Sequence, residues 1–187
     1  MYETQPCALP EGRCADLDYR LAVYEAGHAL TARALGFRVI SVRMRPRPPI
    51  MESDKVLGNT FRSLTAVLEN RCIELFGGQI AEDHACATAS CCTGDVARID
   101  ELCRLISGLD GRRAPEDIWF ELEDVALDIF RAPKMRDAIL PLSDFLFAEV
   151  ARGETIVPGA RIEAWMDDLL GPRPRRGGLL RRLTARA

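Results

Sequence analysis

The chain has 187 residues, of which 48% are hydrophobic and 28% charged, with a net charge of −3. At this length a domain buries roughly 70% of the surface its unfolded chain exposes, so folding requires neither a disulfide framework nor a structural metal. The acidic balance, with no recognition motif, argues against nucleic-acid binding, and no run approaches the ~20 apolar residues of a transmembrane span.

Residues 1–15 carry Pro6, Pro10 and scattered charges and read as an irregular arm. Asp16 is placed to cap a helix over 17–35, in which Leu17, Leu21, Ala22, Ala26, Ala29 and Leu30 recur at helical spacing, with Gly36 as its stop signal. Residues 37–44 alternate apolar and polar and predict a strand; the prolines of 45–49 break it, and a second short strand is expected over 55–61. A helix follows from Ser63, with an interruption expected at Gly77-Gly78 and a short helix over 79–86. Residues 87–94 read as a small-residue loop, 95–106 as a helix, and 115–130 as a helix with Pro115 in its first turn. Pro133 opens a helix over 134–150, which Pro141 should kink or split. A last helix is expected over 159–170, with Pro158 at its start. The domain therefore spans 16–170, and 171–187 reads as a basic flexible tail with six arginines and no acid.

The seven cysteines are odd in number, and no apolar leader precedes them, so reduced thiols and a cytoplasmic location are expected. There is no internal repeat and no G-x-x-x-x-G-K-[ST] phosphate loop, hence no ATPase module in the sequence.

The run that carries chemistry is Ala22-Val23-Tyr24-Glu25-Ala26-Gly27-His28-Ala29. In the H-E-x-x-H pattern two histidines one turn apart hold a zinc ion, and the glutamate acts as general base on the metal-bound water. Glu25 and His28 occupy the second and fifth positions of that pattern; Tyr24 stands where the first histidine is required.

This run resembles the H-E-A-G-H-A motif of the protease domain of FtsH-type, ATP-dependent zinc metallopeptidases. Residues 75–83 (LFGGQIAED) are similar to that family's L-x-G-G-R-x-A-E-E segment, and 90–96 (SCCTGDV) fall where the family has T-G-A-S-N-D-L, of which the aspartate survives. The likeness covers residues 16–150 in the family's order, without its ATPase domain or membrane anchor. It implies a mainly α, zincin-type fold with a small β element beside the zinc helix. It also implies zinc as cofactor, Glu25 as general base, and His28 and Asp95 as metal ligands, with Tyr24 at the position of the remaining ligand. The activity implied is peptide-bond hydrolysis, on a polypeptide that is short, unfolded or delivered by a separate ATPase or unfoldase.

Three outcomes are open for the metal. Tyr24 could ligate zinc as phenolate, although its oxygen lies farther from the helix axis than an imidazole nitrogen. Zinc could be weakly bound or absent, leaving a non-catalytic scaffold that holds a peptide or protein. A thiol from the cluster His84, Cys86, Cys91 and Cys92 could substitute, although H-x-C-x4-C-C matches no common zinc pattern and also reads as buried thiols or as a thiol sensor. Asp95 could equally cap the helix after Gly94, and Glu82 could orient His28 or lie exposed. Arg43, Arg45 and Arg47 mark either a substrate-holding edge strand or a charged edge that discourages aggregation. The tail, with Leu179, Leu180 and Leu183, carries a weak signal for a membrane surface or a partner helix.

Overall fold

The computed structural model describes residues 13–86 and 93–175. Asp16 starts the first helix as its sequence position suggests: its carboxylate accepts from the backbone N–H groups of Asp18 at 2.9 Å and Tyr19 at 3.3 Å, satisfying two otherwise orphaned donors. Helix α1 (Leu17–Ala34) is buried at every residue from Ala22 to Arg33. A helix wrapped on all sides in this way is the centre of the fold rather than a surface helix. Gly36 follows at φ 88°, in the left-handed region that favours glycine after a helix.

Helix α2 (Phe61–Cys86) runs unbroken through Gly77-Gly78, where an interruption was expected. The two glycines cost helix propensity, about 1 kcal/mol each relative to alanine, and the fold uses the space they leave. A Cβ on Gly27 of α1 would lie 2.2 Å from the carbonyl oxygen of Gly77, and a Cβ on Gly77 would lie 2.1 Å from Thr31 Oγ1. The two helix backbones therefore touch, and tertiary packing overrides local preference.

Helix α3 (Thr93–Asp110) begins two residues before the expected start, and Asp95 lies inside its first turn rather than at the cap. A carboxylate there still complements the helix dipole. Helix α4 (Pro115–Arg131) opens with proline, as expected. The expected split by Pro141 falls at Ala138, between α5 (Pro133–Asp137) and α6 (Ile139–Ala151). Pro141 lacks the N–H that would have bonded back to Asp137, so the helix parts one turn upstream. Helix α7 (Gly159–Leu170) ends at Gly171.

The β element is a three-stranded antiparallel sheet, ordered β2-β1-β3, with β1 (Val39–Arg43), β2 (Ile50–Ser53) and β3 (Ile156–Pro158). The second strand thus lies upstream of 55–61. Met51 can pair with Val42 and face the core, whereas Val56 and Leu57 are 70% and 58% exposed and have no face to bury. The three-residue β3 turns a single residue, Val157, inward, too little to mark a strand in the sequence. Val42, Met51 and Val157 form one inward row across the sheet.

Both ends of the domain are anchored. Arg13 pairs with Asp144 at 2.8 Å, and Tyr19 donates to the same carboxylate at 2.8 Å. Arg33, 2% exposed, pairs with Glu163 and Asp167 and donates to the Gly171 carbonyl; Arg173 pairs with Glu163 at 3.1 Å. The start of the basic segment therefore belongs to the domain, while Arg176, Arg181, Arg182 and Arg186 lie outside the described residues. No helix among the described residues is long and apolar enough to cross a membrane.

The α1–α2 contact gives a matched pair of substitutions. Gly27→Ala drives a Cβ into the Gly77 backbone and should destabilise the protein by about 1–3 kcal/mol. Gly108→Ala, in α3 where a Cβ meets nothing within 4 Å, should instead stabilise by about 0.5–1 kcal/mol. Urea unfolding of the two variants checks the opposite signs.

Candidate functional site

Tyr24, Glu25 and His28 occupy one side of α1 at i, i+1 and i+4, and the first turn of α3 brings Asp95 to meet them. Tyr24 Oη donates to Asp95 Oδ2 at 2.6 Å. His28 Nε2 lies 3.1 Å from the same oxygen, and His28 Nδ1 lies 2.8 Å from the backbone carbonyl of Glu74 on α2. The imidazole thus faces an acceptor at each nitrogen, and only the doubly protonated ring satisfies both. Its electrostatics agree. Burial alone would depress the His28 pKa, but the Asp95 hydrogen bond and the charges of Glu25 and Asp95 outweigh it and raise it. Burial would likewise raise Asp95, but the hydrogen bond and charge of His28, with the Tyr24 hydrogen bond, hold it below the usual carboxylate value. The Tyr24 and His28 rings meet edge to face at 4.6 Å between centroids.

Gly78 makes room for this arrangement. A Cβ there would lie 2.5 Å from His28 Cε1 and 2.9 Å from Tyr24 Cζ. On α2, Glu74, Gly77, Gly78 and Ala81 share one face at helical spacing, and that face meets α1. Glu74 belongs to none of the sequence motifs. Its fully buried carboxylate accepts from Ser53 Oγ at 3.0 Å and pairs with Lys55 and Arg71. These contacts tie the end of β2 to the turn of α2 whose carbonyl orients His28. The signal for it was the acid one turn before Gly78 on the face that the two glycines expose.

Glu25 differs from its neighbours. It is 2% exposed, and its Oε2 has no hydrogen-bond partner. Burial pushes its pKa up to about 7, with the His28 charge opposing and the Asp95 charge adding. It lines a cavity of about 360 Å³ together with His28, Asp95 and Arg71. Leu21, Pro49, Ile50 and Met51 supply the apolar wall.

Other sequence candidates sit elsewhere. Glu82 is fully buried on Arg20, 2.6 Å away, and so neither orients His28 nor lies exposed. Arg43 is on β1, the middle strand; β2 is the edge strand beside the cavity. Arg45 and Arg47 are paired with Asp18. In the cysteine cluster, Cys86 is buried while His84 is exposed, and Cys91 and Cys92 lie outside the described residues.

A catalytic zinc centre takes three protein ligands presenting lone pairs to one point. His28 and Asp95 are two such groups, and the Nδ1–H bond to a carbonyl is the support a ligating histidine commonly has. Here, however, both are spent on each other, and Tyr24 presents a proton instead of a lone pair. Among the described residues no group of three His, Cys, Asp or Glu side chains is placed to hold a metal ion. Compared with known proteins, the chain matches no family model and no curated relative.

Two measurements follow from this geometry. Tyr24→Phe removes a hydrogen bond to a charged acceptor and should cost about 1.5–3 kcal/mol in denaturant unfolding. Glu25 is protonated in both folded and unfolded states at low pH, but its ionisation costs more in the folded state, where its pKa is about 7 rather than 4.5. Stability is therefore lost as pH rises from the lower value through the higher. Glu25→Gln should stabilise the protein by on the order of 2–3 kcal/mol at about pH 8 and bring no gain at about pH 4.

Proposed function

We propose that this chain is a zincin-type scaffold resembling the FtsH-type protease domain, and that it binds polypeptide without hydrolysing it. The observation that carries the reading is the 2.6 Å hydrogen bond from Tyr24 to Asp95. At the position of the first zinc ligand stands a proton donor, and it engages the carboxylate that the resemblance assigns to the metal. Zinc binding at these residues would require removing the Nε2 proton of His28, displacing two donors from Asp95 and ionising a phenol whose ordinary pKa is about 10. Without metal, the cluster holds α1, α2 and α3 together as the floor of a cleft.

Polypeptide is the favoured occupant because the cavity lies between α1 and an edge strand. β2 pairs on one side only, and its Ile50 and Met51 line the cavity. An extended segment could add to that edge through its backbone while one side chain enters the cavity.

A second reading, zinc-dependent peptide hydrolysis, draws on Glu25, whose burial and pKa of about 7 suit a general base. One experiment separates the two. A permanently unfolded, fluorescently labelled polypeptide is titrated with the protein, with and without a chelator, and the mixture is then examined for fragments. The expected result is binding indifferent to chelator, with the polypeptide intact, and about one zinc per chain gained only by Tyr24→His. Zinc-dependent fragmentation by the wild-type chain, abolished in Glu25→Gln, would overturn the proposal in favour of the second reading.

A further inference from the structure

The charged groups around the cavity are matched with one exception. His28 faces Asp95, and Arg71 is paired with Glu74, which also takes Lys55. Glu25 remains, 2% exposed, with Oε2 unpartnered and its side chain lining the cavity. A buried carboxylate oxygen without a donor is destabilising unless a ligand supplies one. Its surroundings narrow the ligand. The wall of Leu21, Pro49, Ile50 and Met51 suits methylene groups, and Glu25 is the acid on the lining that has no ion pair among the described residues, Asp95 being taken by His28 and Tyr24. An ammonium brings three hydrogen-bond donors, the element that Glu25 lacks.

We infer that the cavity is a recognition site for a protonated primary amine carried on an aliphatic stem, with Glu25 as its principal partner. Resting on the polypeptide-binding reading, the amine is either the amino terminus of the bound chain or a lysine side chain reaching in from it. The ammonium donates to the Glu25 carboxylate, and its stem lies against Ile50, Met51 and Leu21. Unlike a metal ion, it requires no lone pair from His28 and leaves the Tyr24–Asp95–His28 hydrogen bonds intact. Glu25 then has a binding role, in contrast to the general-base role that the H-E-x-x-H pattern implies.

The test uses the full chain and a matched set of short peptides. The set comprises a lysine-free peptide with a free amino terminus, the same peptide acetylated, an acetylated peptide with one lysine, and its acetyl-lysine counterpart. Butylammonium is added as a fifth, non-peptide probe. Affinities are measured for wild type, Glu25→Gln and Glu25→Asp, each variant first shown to unfold cooperatively. The expected result is a preference of about tenfold or more for a free-amine peptide over its blocked form. That preference disappears in Glu25→Gln and is partly kept in Glu25→Asp. The free-terminus and lysine arms identify the source of the amine. Equal affinity for free and blocked peptides overturns the amine site and leaves polypeptide binding standing. Glu25-dependent binding of butylammonium with no peptide bound supports the amine site and removes the polypeptide reading. Failure of every probe to bind overturns both.

Discussion

Helices α1 and α2 touch backbone to backbone at Gly27 and Gly77, and the geometry of the site follows from that approach. With side chains at either position the helices would separate, and His28 Nδ1 would lose the 2.8 Å contact with the Glu74 carbonyl. Gly78, one position on, clears the volume that the imidazole and the Tyr24 ring then fill. The same contact explains why α2 tolerates two adjacent glycines in its interior. The propensity lost, about 1 kcal/mol per glycine, is offset by packing around a helix whose residues 22–33 are all buried.

Compensation of charge organises the rest of the interior. Arg33 is enclosed by Glu163 and Asp167, Glu82 by Arg20, and Glu74 by Lys55 and Arg71. Removing one member of such a pair strands a buried charge, which makes these sites sensitive although the intact pairs add little net stability. The Glu74 group has a second consequence. It fastens the end of β2 to α2, so the edge strand and the ring of His28 are positioned by the same residue. Against this background the unpartnered oxygen of Glu25 is an exception, and its residue lines the cavity.

Much of this was legible in the sequence, for identifiable reasons. Asp16, Pro115 and Pro133 announced helix starts because caps and first-turn prolines act through local backbone chemistry. Tyr24, Glu25 and His28 stood out through the H-E-x-x-H pattern, and Asp95 only through the resemblance to the FtsH-type segments. The positions that misled depend on distant partners. Gly77-Gly78 looks like a helix break until Gly27 is opposite it. Residues 55–61 look like a strand until Met51 is seen pairing with Val42. Glu74 and Glu82 are both buried acids, and only the fold reveals that the first supports His28 while the second pairs with Arg20.

The central claim is that Tyr24 acts as a neutral hydrogen-bond donor to Asp95 in place of a metal ligand. The most direct measurement is the ¹³Cζ NMR signal of Tyr24, assigned by its loss in Tyr24→Phe and followed as one equivalent of zinc is added near neutral pH. The account predicts the shift of a protonated phenol, unchanged by zinc. A zinc-dependent move to the phenolate position would contradict it and make Tyr24 a ligand.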